Sequence, residues 1–249
     1  MKNILFLSMT ISIAALVAFT ACKKDSATTA TITNATLPDV FKKFNTSVQV
    51  YVEGNTVVIK TNGLPDHKSP YFATSDSRYE AYNGANANFQ LNPNRIVEQS
   101  LTFKIPVSPA EAGTKAATPL GPIGVSLNGV PLFNQYAGPS QPLTNEINSF
   151  DQYNGHPQQS GQYHYHVEPL SITVQKGKSS LIGFLLDGFP VYGPIENGTT
   201  IASASLDVYH GHTGVTADYP AGIYHYHITA DAPYINGSGF WGTGGKVTQ

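Results

Sequence analysis

The sequence predicts a mostly β, sandwich-like single domain built on an internal duplication of about 60 residues. Three observations carry this. First, a four-residue stretch is used twice, as Tyr163-His164-Tyr165-His166 and as Tyr224-His225-Tyr226-His227, and repeats on this scale define an architecture before any single element does. Second, β-branched runs are short and separated by Gly- and Pro-containing turns, the punctuation of strands. Third, outside the N-terminal segment no stretch keeps a 3.6-residue apolar period over a dozen residues, so helices are not expected to build the core.

Residues 1–21 read as an export signal: Lys2 precedes an apolar run from Ile4 to Phe19, too short and wrongly flanked for a membrane span. Phe19-Thr20-Ala21-Cys22 resembles a bacterial lipoprotein signal, which implies cleavage before Cys22, acylation of its thiol and a lipid-anchored, extracytoplasmic setting. Residues 22–44 are expected to tether the lipidated cysteine to a domain over 45–249, with repeat units at about 120–178 and 179–235. Because Cys22 is the only cysteine, a mature domain would hold no disulfide and no thiolate metal site. Charged residues make up 12% of the chain and the net charge is -2, which leaves no basic footprint for nucleic acid.

Val48 to Val52 and Thr56 to Lys60 flank Glu53-Gly54-Asn55 and read as a hairpin. Asn62 to Tyr71 is a Pro/Gly loop, and Ile96 to Pro106 reads as a strand. Each repeat unit then opens on Asn128-Gly129 or Asp187-Gly188 between apolar residues, the signature of a tight hairpin with a type I′ turn. Ser171 to Val174 and Ser179 to Leu185 are expected to pair as strands across Gln175–Lys178, and Phe240-Trp241 to pack onto the domain.

The chemistry rests on the histidines. Along a strand, side chains alternate faces, so each YHYH copy sets two imidazoles on one face, with Cβ atoms roughly 6.5 to 7 Å apart, and two phenols on the other. If pseudo-two-fold symmetry brings the copies together, His164, His166, His225 and His227 form a four-imidazole site suited to a divalent transition metal, Zn or Cu in the first instance. Calcium, which prefers oxygen, is disfavoured. Upstream, Asp151-x-Tyr153-x-Gly155-His156 and Asp207-x-Tyr209-x-Gly211-His212 match one another. His156 and His212 are candidates to join or replace the four; Asp151 and Asp207 are candidates to accept hydrogen bonds from ring N–H groups, or to cap backbone N–H groups of a turn in which the glycine supplies an unusual φ. His67, alone in its loop, and His210, facing Asn154 in the other repeat, are expected to be structural and surface residues respectively.

Several of these segments resemble the bacterial YHYH-domain proteins: Asn62 to His67, Asp151 to His156, Gly161 to His166, Leu186 to Pro194, Leu206 to Gly214 and Gly222 to His227. The resemblance implies a shared fold in an exported setting and transfers no reaction. Where such proteins often carry cysteines in the two Asp-x-x-x-Gly-His segments, this chain has Tyr153 and Tyr209.

Three functional classes follow. The leading one is a lipid-anchored domain binding a divalent transition metal through the YHYH histidines. A second is a metal-dependent hydrolase or oxidase, with Asp151, Asp207 or a tyrosine as acid or base; no catalytic residue is singled out by a motif, since nucleophile elbows, phosphate loops and dinucleotide fingerprints are absent. A third is a binding module that presents Tyr165, Tyr226 and Trp241 to a glycan, a small molecule or a surface.

Overall fold

A computed structural model describes residues 35–249. The export signal and Cys22 lie outside them, as does most of the tether; no helix among the described residues is long and apolar enough to cross a membrane. The expected boundary at residue 45 is corrected. A 3-10 turn at Asp39–Lys43 buries Val40 and Phe41, and Phe44 follows them into the core. Phe41 stacks on Phe184 of the second repeat at 4.3 Å between ring centroids.

The fold is mostly strands in several sheets, as expected. The strands are β1 Gln49–Glu53, β2 Thr56–Thr61, β3 Leu101–Pro106, β4 Pro122–Ser126, β5 Pro131–Phe133, β6 Tyr136–Ala137, β7 Gln141–Pro142, β8 Gly155–Pro157, β9 Tyr163–Tyr165, β10 Leu181–Leu185, β11 Pro190–Tyr192, β12 Ile195–Glu196, β13 Thr199–Thr200, β14 Gly211–Gly214, β15 Ile223–His227 and β16 Lys246–Thr248. One sheet has the order β1-β2-β3-β16 and the other β14-β15-β11-β10-β4-β5-β9-β8, while β6-β7 and β12-β13 are small ladders beside the larger sheet's repeats. Val57, Ile59, Phe103 and Ile105 of the first sheet share one core with Ile123, Val125, Phe184 and Val191 of the second.

The eight-stranded order is a palindrome of the two repeats. Each contributes a hairpin, then its YHYH strand parallel to the hairpin's second strand, then the Gly-His strand antiparallel at the edge. The halves meet through β4 and β10, where Val125 faces Phe184, residues that occupy the same position in the two repeats. The approximate two-fold axis passes between them.

Local chemistry explains most departures from expectation. In each opening hairpin the Asx residue does not take positive φ; Gly129 and Gly188 do, both at 85°. Their N–H groups donate to Ser126 and Leu185 three residues back, so each turn is closed before the glycine, which follows as a bulge instead of completing a type I′ pair. Residues 170–176 form a helix, α1 Leu170–Lys176, in place of the expected strand. Pro169 starts it and Gly177, at φ 96°, ends it; this punctuation outweighs the β-branched Ile172, Thr173 and Val174. The third strand is confined to 101–106, short of the expected start at Ile96.

Two candidate metal centres

The strand order settles which histidines can meet. Five inter-strand steps separate β15 from β9, about 24 Å along the sheet at about 4.8 Å each. The single four-imidazole site is therefore corrected to two centres, one per repeat: Glu146, His156, His164 and His166 in the first, Glu196, His212, His225 and His227 in the second. In each, the upstream histidine lies directly across the edge pair from the first YHYH histidine, His156 from His164 and His212 from His225. The second YHYH histidine joins from two residues along the same strand face.

The distances are those of ligands around one ion. In the first centre His156 Nε2 lies 3.1 Å from His164 Nε2 and 3.2 Å from Glu146 Oε1, and His164 Nε2 lies 3.0 Å from His166 Nε2. In the second, His212 Nε2 is 3.1 Å from His227 Nε2 and 3.3 Å from Glu196 Oε2, and His225 Nε2 is 3.3 Å from Glu196 Oε1. Two nitrogens each about 2.05 Å from a tetrahedral ion stand about 3.3 Å apart.

Ring tautomers follow from the partners of the other nitrogen. His164 Nδ1 donates to Gln162 O at 3.1 Å and His166 Nδ1 to Asn134 O at 2.6 Å; His225 Nδ1 donates to Ile223 O at 3.0 Å and His227 Nδ1 to Gly193 O at 3.0 Å. A carbonyl only accepts, so each Nδ1 carries the proton and each Nε2 turns a lone pair inward. Ser149 does the same for His156: its hydroxyl donates to Glu146 O at 2.8 Å and accepts from His156 Nδ1 at 2.8 Å. Burial pushes His164 well below the usual histidine range and His166 to about 4. It likewise lowers His225 and takes His227 to about 4.

The tyrosine faces of the YHYH strands anchor the centres to the core. Tyr163 donates to Asp151 Oδ2 at 2.8 Å, and Tyr224 to Asp207 Oδ1 at 3.0 Å. The same aspartates cap the N–H groups of Tyr153 and Gly155, and of Tyr209 and Gly211. The capping role expected of the aspartates holds, and their expected contact with the imidazoles is corrected: the Nδ1–H groups of His164, His166, His225 and His227 go to backbone carbonyls and that of His156 to Ser149. Gly155 and Gly211 lie under the tyrosine rings, where a Cβ would run into Tyr163 or Tyr224. Asp-x-Tyr-x-Gly-His is thus a device for seating a tyrosine while aiming a histidine at the opposite face.

The second tyrosines are held by the hairpin turns. Asn128 Nδ2 donates to Tyr165 OH at 3.2 Å, while Tyr226 OH donates to Asp187 Oδ2 at 2.6 Å and accepts from Trp241 N at 2.7 Å. Tyr165 and Tyr226 are wholly buried, so the exposed aromatic platform expected of a binding module is corrected for both; Trp241 stacks on Tyr224 with centroids 4.4 Å apart. His67 bonds Tyr165 OH at 3.0 Å, outside both centres. His210 is buried rather than exposed, at φ 76°, and bonds Thr229 Oγ1 at 2.9 Å.

Glu146 and Glu196 escape sequence reasoning because the repeat does not match them. Glu146 comes from a 3-10 turn at Glu146–Ser149, whereas Glu196 comes from β12, and the position matching Glu196 in the first repeat is Ala137.

Fold and centres together define a duplicated β protein whose two histidine-carboxylate clusters could each hold a metal ion. The profile of the YHYH protein family matches residues 102–201 and 195–239, more than half of the chain, and the chain belongs to that family. No curated protein and no solved structure matches it.

Proposed function

We propose that this chain is a lipid-anchored extracytoplasmic domain that binds two divalent transition metal ions, zinc or copper, one in each repeat. The single observation that carries the metal reading is acceptor facing acceptor. His164 Nε2 and His166 Nε2 turn lone pairs on one another at 3.0 Å, with both Nδ1 protons committed to carbonyls. In the second centre the His225 Nε2 lone pair meets a Glu196 oxygen at 3.3 Å, with Nδ1 committed likewise. Burial lowers the proton affinity of these rings, which makes bridging by protons costly; a cation removes the repulsion and satisfies every acceptor at once. Imidazole with carboxylate is a donor set for Zn(II) and Cu(II). The lipid anchor rests on the sequence around Cys22 and on the exported setting implied by its resemblance to lipoprotein signals.

Elemental analysis of the untagged protein tests the reading. The expected result is two ions per chain, with one retained by the His164→Ala/His166→Ala variant and one by His225→Ala/His227→Ala. Absence of metal after reconstitution sinks it; a single ion lost by either pair of substitutions would restore the shared four-histidine site.

A further inference from the structure

The repeats are alike in their ligands and unlike in what surrounds them. In the first centre Phe133 lies flat on His164, centroids 3.9 Å apart at 22°. Phe150 meets His156 edge-on at 4.8 Å and runs parallel to His166 at 5.8 Å. All three imidazoles are buried, and the cleft beside them reaches only His156 and Glu146 of the four ligands. Two phenyl rings cover the His164 and His166 side of this centre, and the cleft, of about 570 Å³, meets it only along the Glu146 and His156 edge.

In the second centre Tyr192 replaces Phe133. Its ring stands edge-on to His225 at 5.4 Å and 79°, not flat upon it. Its hydroxyl is drawn away, donating to Asp218 Oδ2 at 3.0 Å with Thr216 Oγ1 at 2.8 Å, and Asp218 is in turn paired with Lys43. Leu206 occupies the repeat position of Phe150 and is half-buried. The side chain of His212 is 34% exposed, against 4% for His156. A cleft of about 750 Å³ opens here and reaches Glu196, His225 and His227 together, along with Tyr192, Thr216 and Asp218.

We propose that the second centre keeps a fifth coordination position, beyond its three histidines and one glutamate, open to a small anionic ligand entering from this cleft, with water there otherwise, whereas the first centre is closed at four. The proposal rests on the two-metal reading. A metal centre with all positions filled by protein is structural, and one with a free position exchanges ligands and activates what it binds. Charge selects the ligand: a divalent ion beside one carboxylate keeps a positive charge, and the Lys43–Asp218 pair in the cleft wall is neutral. A small anion offering one oxygen or nitrogen donor fits; a bulky cation does not.

Cobalt(II) loading with azide as the probe tests this, because cobalt absorption reports coordination without requiring a known reaction. The expected result is one azide bound per two cobalt ions in the wild-type protein, with spectral change in His164→Ala/His166→Ala, which retains the second centre, and none in His225→Ala/His227→Ala. Two azides per chain, or none with both cobalt sites filled, overturns the proposal and leaves the two-metal reading standing. Failure to bind cobalt at all overturns both. Where a double variant does not fold, the wild-type stoichiometry decides alone.

Discussion

Replacing Ser149 with alanine isolates how much the metal affinity of one centre depends on a group that never touches the ion. The Ser149 hydroxyl has one proton, donated to Glu146 O, so at 2.8 Å from His156 Nδ1 it can only accept; the Asn92 amide, farther from that nitrogen at 3.4 Å, donates to Pro157 O at 3.2 Å instead. It thereby fixes the proton on Nδ1 and aims the Nε2 lone pair at the site. Loss of such an orienting partner costs about 10- to 100-fold in metal affinity, or about 1.4–2.8 kcal/mol at about 1.4 kcal/mol per tenfold. Ser149→Ala should weaken the first centre by that amount. The second centre, about 24 Å away along the sheet, should keep its affinity. Competition titration of zinc against a chromophoric chelator resolves two binding steps, and the Tm of the metal-free protein checks that the 3-10 turn carrying Glu146 survives. Equal weakening of both steps, or of neither, refutes the assignment of Ser149 as the positioning residue for His156.

Two further outcomes follow from the core. Phe41→Ala removes a buried ring stacked on Phe184 and should cost about 3–5 kcal/mol. That is about 6–20 °C in Tm for a domain of this size, measurable by calorimetry, whereas an unchanged Tm would return residues 37–44 to the tether. Burial pushes the Asp187 carboxyl up to about 6 from 3.8, so the folded state holds its proton more tightly than the unfolded chain. Its contribution is fully present below about 4 and is lost as pH rises through about 6. With chelator present throughout, the stability difference between wild type and Asp187→Asn should therefore shift against the wild type across that window; a difference that stays flat with pH would disprove the raised carboxyl.

The duplication, the hairpin openings and the His/Tyr alternation were legible in the sequence because each depends on residues close together in the chain. Which histidines combine was not, since that is decided by strand order: two identical motifs invite pairing, yet the palindromic sheet sends them to opposite ends. The carboxylates were hidden for a different reason. Glu146 and Glu196 arrive from unmatched positions on short irregular elements, so neither periodicity nor the repeat marks them. Asp151 and Asp207 were conspicuous by their symmetry and serve the tyrosines instead. Residues 170–176 misled because β-branched side chains were weighed above the proline and glycine that bracket them, and residues 37–44 because two apolar side chains in a short 3-10 turn and a third just after it leave no periodic trace.

The pairing of β4 with β10, equivalent residue against equivalent residue, has a meaning for the history of the chain. A half-length ancestor could have built the same sheet by pairing with a second copy of itself, and the symmetry of that dimer would have forced both of its centres to be identical. Joining the halves in one polypeptide lifts that requirement. Phenylalanine can then be kept against one histidine while tyrosine is drawn aside from its counterpart, and a glutamate can be recruited from different places on the two sides. Covalent fusion is what lets a symmetric scaffold hold two unlike sites.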